Sequence, residues 1–202
     1  MKLYTSSTSP FGRLVLLAAL PRRDIDFAIA YVNPWENPAE LQALNPFSQV
    51  PTLQTDSGAI ICNSPFILDF LLGHPLHNAA QSAAAGYAFI LLEQLVKVFG
   101  LQKFKTENTP DHPLLERARA ACIRGLSQAP QLDAAAGDLG NLALGMAFVF
   151  MQFRLPDLQP HLSPANQNAL ERFTARTDVR AVSPENLEHR PATLSQLRQS
   201  IA

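Results

Sequence analysis

Charge is scarce in this sequence and neither sign prevails: 16 Lys and Arg stand against 17 Asp and Glu, a formal net charge of -1 over 202 residues. The basic residues are scattered, so the chain carries no patch of the kind that binds nucleic acid or an anionic membrane surface. Cysteine is nearly absent. Cys62 and Cys122 stand far apart, which excludes a disulfide framework and a Cys-x-x-Cys zinc site, and both are expected to be small buried hydrophobes. His74 and His77 flank a proline, and His112, His161 and His189 stand alone, so no metal is expected. Long apolar runs are lacking too. Leu142 to Phe153 is too short to span a bilayer, and Tyr87 to Leu101 is interrupted by Glu93, Gln94 and Lys97. Met1-Lys-Leu-Tyr4 runs at once into polar residues, unlike a signal peptide. The expectation is a soluble, cytoplasmic protein of one large or two small domains.

Proline, by contrast, is plentiful, with 16 residues that punctuate the chain. Lys2 to Thr5 is a strand candidate, and Ser9-Pro10 starts a helix over Phe11 to Leu20, stopped by Pro21. Phe27 to Val32 has the composition of a buried strand. Asn37-Pro38 is placed to cap a short helix through Leu44, which Asn45-Pro46 ends. Thr52 to Thr55 and Ala59 to Cys62 are joined by Asp56-Ser-Gly58, where glycine supplies a positive φ, and so read as a hairpin. Ser64-Pro65 opens a helix through Leu72, with serine as N-cap. The order β-α-β-α-β-β-α in about 72 residues requires a parallel first pair and an antiparallel last pair, hence a mixed four-stranded sheet.

After Gly73 to Asn78, a linker by composition, the pattern is helical. Helices are expected over Ala79 to about Lys105, Pro113 to Gln128, Asp138 to Phe153 and Pro164 to Thr177, with a turn near Val179 to Val182 and a last helix from Ala192 to Ser200. The segment Leu142 to Phe150 is apolar all round and belongs inside a bundle. Asp138, three residues before Asn141, caps that helix. The domains are read as 1-73 for the α/β part and 79-202 for the helical part. Two placements stay open for the tail 187-202, over a pocket or against the bundle.

One stretch suggests a binding edge. The proline of Val50-Pro51 biases Val50 to extended geometry and, were the bond cis, would turn its backbone toward a ligand. The helix start at Ser64 is suited to an anion.

Three segments carry a resemblance: Thr5-Ser-Ser-Thr-Ser-Pro-Phe-Gly-Arg13, Asn45-Pro-Phe-Ser-Gln-Val-Pro-Thr-Leu53 and Asn63-Ser-Pro-Phe-Ile-Leu-Asp-Phe-Leu71. In order and spacing they resemble the glutathione transferase superfamily and its bacterial serine-type members. Asp138 to Gly145, with Phe153 to Asp157 after it, resembles that family's capped core helix. The resemblance implies a thioredoxin-like domain followed by a helical domain, and glutathione as co-substrate without a metal. It also implies a homodimer, and transfer of glutathione to small hydrophobic electrophiles of the kind met in detoxification.

Residue by residue, the resemblance assigns Val50 and Pro51, with Gln49 beside them, to pairing with the tripeptide backbone. Asn63 and Ser64 would hold its γ-glutamyl end, and Ser9 would stabilise the thiolate. Asn63 departs from the family's acidic residue, so the ammonium group keeps an acceptor and loses a charge. Ser7, Thr8 and Tyr4 are alternates for Ser9. Phe11 and Tyr87 are expected to line the co-substrate pocket, and Trp35 is open to a ligand contact or a subunit contact. Two other functions stay open: a non-catalytic partner-binding protein of the same fold, like the stringent starvation protein, and a glutathione-dependent isomerase or dehalogenase.

Overall fold

The computed structural model describes residues 1–106 and 110–199, in two compact units: residues 1–75 with 175–202, and residues 76–174. The first is built on a four-stranded sheet of β1 (Lys2–Thr5), β2 (Ala28–Tyr31), β3 (Thr52–Gln54) and β4 (Ile60–Cys62), in the order β2-β1-β3-β4. β1 and β2 are parallel, and both other pairings are antiparallel. The mixed sheet is therefore the one required by the element order. Gly58 takes φ 85° in the β3–β4 turn, whose Gly58 N–H donates to Thr55 O at 3.0 Å.

Helix α1 (Pro10–Ala19) is buried on almost every side, because Leu14, Val15, Leu16 and Leu17 leave it no polar face. Gly12 lets it approach the sheet, since an added Cβ there would collide with the Thr5 hydroxyl. Helix α2 is Ala39–Leu44 and α3 is Ser64–Leu72. Asn37 does not cap α2. It takes φ 48° and closes a 3-10 turn over Pro34–Glu36, and Pro38 is left as an N-cap without a side-chain bond. Nor is β2 fully buried. Ala28 is exposed and only Ile29 is buried, because β2 lies at the sheet edge.

The second unit holds α4 (Ala79–Lys103), α5 (Pro113–Ser127), α6 (Leu139–Arg154) and α7 (Pro164–Thr174), with a 3-10 turn over Pro156–His161. Eleven residues of α6 are buried, as its apolar circumference requires, and Asp138 Oδ1 accepts from Asn141 N–H at 3.1 Å. Gly145 leaves room for the Phe173 ring from α7, 2.5 Å from where a Cβ would sit. Helix α4 is long enough to cross a bilayer, with a mean hydropathy of 1.4 in its most apolar window. In this unit its Ala88, Leu92, Leu95 and Val98 are fully buried among its neighbours α5 and α6.

The tail goes elsewhere than the bundle. Helices α8 (Thr177–Ala181), α9 (Pro184–Leu187) and α10 (Leu194–Gln199) belong to the sheet unit, whereas chain order alone assigns all of 79–202 to one helical domain. The expected last helix reaches Ser200, which with the rest of the tail to Ala202 lies outside the described residues. Hydrogen bonds at several points hold the tail. Ile29 N–H donates to Ala192 O at 2.8 Å and Leu194 N–H to Phe27 O at 3.1 Å, so residues 192–194 pair with the open edge of β2. Buried Arg13 reaches Val182 O at 2.7 Å, and burial pushes its pKa down to about 10 against the opposing pull of Glu185. Arg198 donates to the carbonyls of Leu20, Ala19, Arg22 and Ile25, which finish α1 and the turn after it.

Hydrogen bonds from a charged donor contribute about 1.5–3 kcal/mol each when their partners are withdrawn from water. Arg198→Met is therefore expected to lower unfolding free energy by at least about 1.5 kcal/mol in a urea titration, with the acetamide-like carbonyls of α1 left uncapped.

Candidate functional site

Strand register gathers the candidate residues at one end of the sheet. Thr52 pairs with Cys62, so the antiparallel ladder carries Val50-Pro51 and Asn63-Ser64 past the same edge of the hairpin. Tyr4 pairs with Thr52, and Thr5 with Tyr31 in parallel, so the loop Ser6 to Ser9 and the segment from Val32 leave from that end too. Loops that leave one sheet end are the usual ground for ligand sites in open α/β sheets.

The Val50-Pro51 bond is cis. Among the described residues, no backbone hydrogen bond engages the N–H or C=O of Val50. Its neighbours are tied down: Gln49 O accepts from Asn45 Nδ2 at 3.1 Å and from Thr52 Oγ1 at 2.8 Å, while the Gln49 side chain is exposed. Ser48 precedes them at φ 51°, its hydroxyl buried without a partner among the described residues.

The four Ser-Pro pairs separate into two kinds. Ser9, Ser163 and Ser183 each accept a hydrogen bond at 3.2 Å from the amide three residues on, Gly12, Asn166 and Asn186, and so act as N-caps. Ser64 does not. Asn63 takes the N-cap position at φ 73°, which makes Ser64 the first residue of α3 and not its cap. Ser64 is 1% exposed, and its Oγ has no partner among the described residues. A buried hydroxyl without a hydrogen bond costs about 1–3 kcal/mol, so its retention needs a cause. Asn63, by contrast, is exposed and makes no side-chain cap bond.

Ser9 is half-buried at the start of α1, where the amide ends of the helix favour negative charge. Because its oxygen accepts from Gly12, its own proton is free to be donated elsewhere. Phe11 is half-buried in the first turn of the same helix. The alternates differ in place: Ser7 and Thr8 lie in the loop, and Tyr4 is buried in β1. Tyr87 belongs to the helical unit, where its hydroxyl is committed to Gly125 O at 2.6 Å. Cys122 is buried and its thiol pushed up to about 11 by burial, which makes it inert. Cys62 is half-buried, less enclosed than its composition suggested. Among the described residues, no group of three His, Cys, Asp or Glu side chains could hold a metal ion.

Sequence reasoning missed a neighbouring cleft of about 370 Å³, which Ser6, Ser7 and Thr8 share with Tyr31, Trp35 and Arg190. The tail brings Arg190 there, and nothing in its local sequence signals that pairing.

If Ser64 Oγ lacks a partner within the protein, Ser64→Ala is expected to leave stability unchanged or raise it by up to about 1 kcal/mol. Ser163→Ala removes a working cap and is expected to cost about 1 kcal/mol in the same denaturant titration.

Comparison with known proteins bears on this geometry. Residues 8–72 match the sequence model of the glutathione S-transferase N-terminal domain. A glutathione transferase family member from Pseudomonas fluorescens, crystallised with glutathione, is 21% identical over 91% of this chain and 98% of its own, with a TM-score of 0.74. A glutathione S-transferase from Methylobacterium radiotolerans, in complex with glutathione sulfonate, is 22% identical over 91% and 94%, with a TM-score of 0.75. One from Methylobacillus flagellatus, with glutathione bound, is 20% identical over 91% and 98%, with a TM-score of 0.74. No curated protein sequence matches the chain. Residues 8–72 thus match a glutathione S-transferase N-terminal domain, and the chain as a whole shares the fold of these glutathione transferases.

Proposed function

We propose that this protein transfers glutathione to small apolar electrophiles, and that its sheet domain, residues 1–73, holds the tripeptide. The observation that carries the reading is the buried hydroxyl of Ser64, without a hydrogen bond among the described residues, near the backbone of Val50, which has no backbone partner among them. A γ-glutamyl carboxylate would supply the acceptor that Ser64 lacks, at a helix N-terminus that favours an anion. Val50 N–H and C=O would pair with the peptide as with an added strand, with Pro51 fixing their direction and Gln49 beside them. Asn63 offers an amide oxygen to the ammonium group, a neutral acceptor and so a weaker one. Structural relatives that carry glutathione support the ligand's chemical class.

In this serine-type reading, Ser9 donates its proton to the glutathione sulfur while accepting from Gly12, and the start of α1 adds its dipole. The residue stabilises the thiolate and does not attack. Attack on the electrophile then needs no protein nucleophile. Phe11 is assigned to the apolar co-substrate. The protein is placed in the cytoplasm. Exposed aromatics favour a homodimer: Phe66 and Phe70, four residues apart on α3, are 66% and 51% exposed. Two such rings on one helix face are more than an isolated surface hydrophobe.

Conjugation of glutathione to 1-chloro-2,4-dinitrobenzene tests the enzyme reading. Ser9→Ala is expected to lower kcat by at least about tenfold with little change in the KM for glutathione, since a charge-assisted hydrogen bond made to the thiolate is lost. Ser64→Ala is expected to raise that KM instead. Absence of turnover by the wild type would leave the partner-binding alternative, for which Asn63 speaks. For the dimer, Phe66→Asp with Phe70→Asp is expected to halve the mass found by light scattering while the far-UV spectrum holds; a monomeric wild type would contradict it.

A further inference from the structure

The cleft beside the β1–α1 loop has its own unpartnered donor. Tyr31 Oη is buried there and makes no hydrogen bond among the described residues. Burial pushes its pKa up to about 12, against the opposing pull of the Arg190 charge, so the hydroxyl stays protonated and needs an acceptor. Arg190 supplies guanidinium donors from the tail wall. Its backbone is fixed, with φ 50° and N–H to Leu187 O at 3.0 Å, between buried Leu187 and the tail segment paired with β2. Arg190 enters no salt bridge among the described residues.

Two donors of this kind on one cleft suit a carboxylate, which accepts from a guanidinium and a phenol together. Glu188 on the same rim opposes a doubly charged phosphate by like-charge repulsion and leaves a single negative charge acceptable. Trp35 adds a flat apolar surface next to the polar groups. We propose that this cleft binds the carboxylate of a small molecule through Tyr31 Oη and the Arg190 guanidinium. As the seat of a co-substrate it rests on the transferase reading; as a carboxylate site it does not.

Trp35 is the sole tryptophan of the chain, so its fluorescence reports on this cleft without any need for turnover. The protein would be titrated with 4-nitrobenzoate against 4-nitrobenzamide, and with glutathione against its glycine monoethyl ester. In at least one pair the acid is expected to bind about tenfold more tightly than its neutral counterpart. Arg190→Gln and Tyr31→Phe, both folded by circular dichroism, are each expected to erase most of that preference. A preference confined to the benzoate names a co-substrate carboxylate, and one confined to glutathione names its glycine end. Equal binding within both pairs, or a preference that survives Arg190→Gln, would overturn the proposal. Loss of conjugation with the acid preference intact would sink the transferase reading alone.

Discussion

Withdrawing a polar group from water without giving it a partner is among the costliest things a fold can do, and this protein does it at one end of its sheet. Among the described residues, Ser48 and Ser64 keep buried hydroxyls without hydrogen bonds, on either side of Val50, whose backbone N–H and C=O find no backbone partner there. On the proposed reading, a peptide-like ligand with a carboxylate supplies the partners these groups lack. The rest of the sheet domain serves to hold that corner: the β3–β4 register places Asn63-Ser64 beside Val50-Pro51, and α1 brings Ser9 to the same end.

The tail is the second organising device. A parallel β1–β2 pair leaves β2 as an edge with free donors and acceptors, which in isolation would invite pairing with another chain. Residues 192–194 take up part of that edge, and Arg198 takes up the carbonyls at the end of α1. Arg13 at Val182 O and the edge pairing at residues 192–194 fix the chain on both sides of Arg190, which is held at the cleft between them.

Much of this was legible in the sequence, and the reasons are local. Ser-Pro marks a helix start whatever surrounds it, Asp56-Ser-Gly58 can hardly be other than a turn, and the apolar circumference of Leu142 to Phe150 admits only an interior helix. The failures are of a different kind. Whether Ser64 or Asn63 caps α3 turns on one backbone angle, φ 73° at Asn63, which a residue pattern does not specify. The apolar run Phe27 to Val32 is compatible with burial on both faces or on one, and β2 is an edge strand. The tail was beyond reach because its partners are remote: Ser195 N–H finds Asp26 Oδ1 at a separation of 169 residues, and Arg198 finds α1 at a similar one. Arg190 and Tyr31 were missed for that reason.

The central claim is that the corner at Val50, Asn63 and Ser64 is a glutathione site, and its most direct test is calorimetric titration of glutathione at neutral pH into the wild type and Asn63→Asp. The account predicts saturable binding by the wild type and tighter binding by the variant, because an aspartate restores the charge that the γ-glutamyl ammonium would meet. No heat of binding from either protein up to millimolar ligand, where a complex is held by only about 4 kcal/mol, would contradict it.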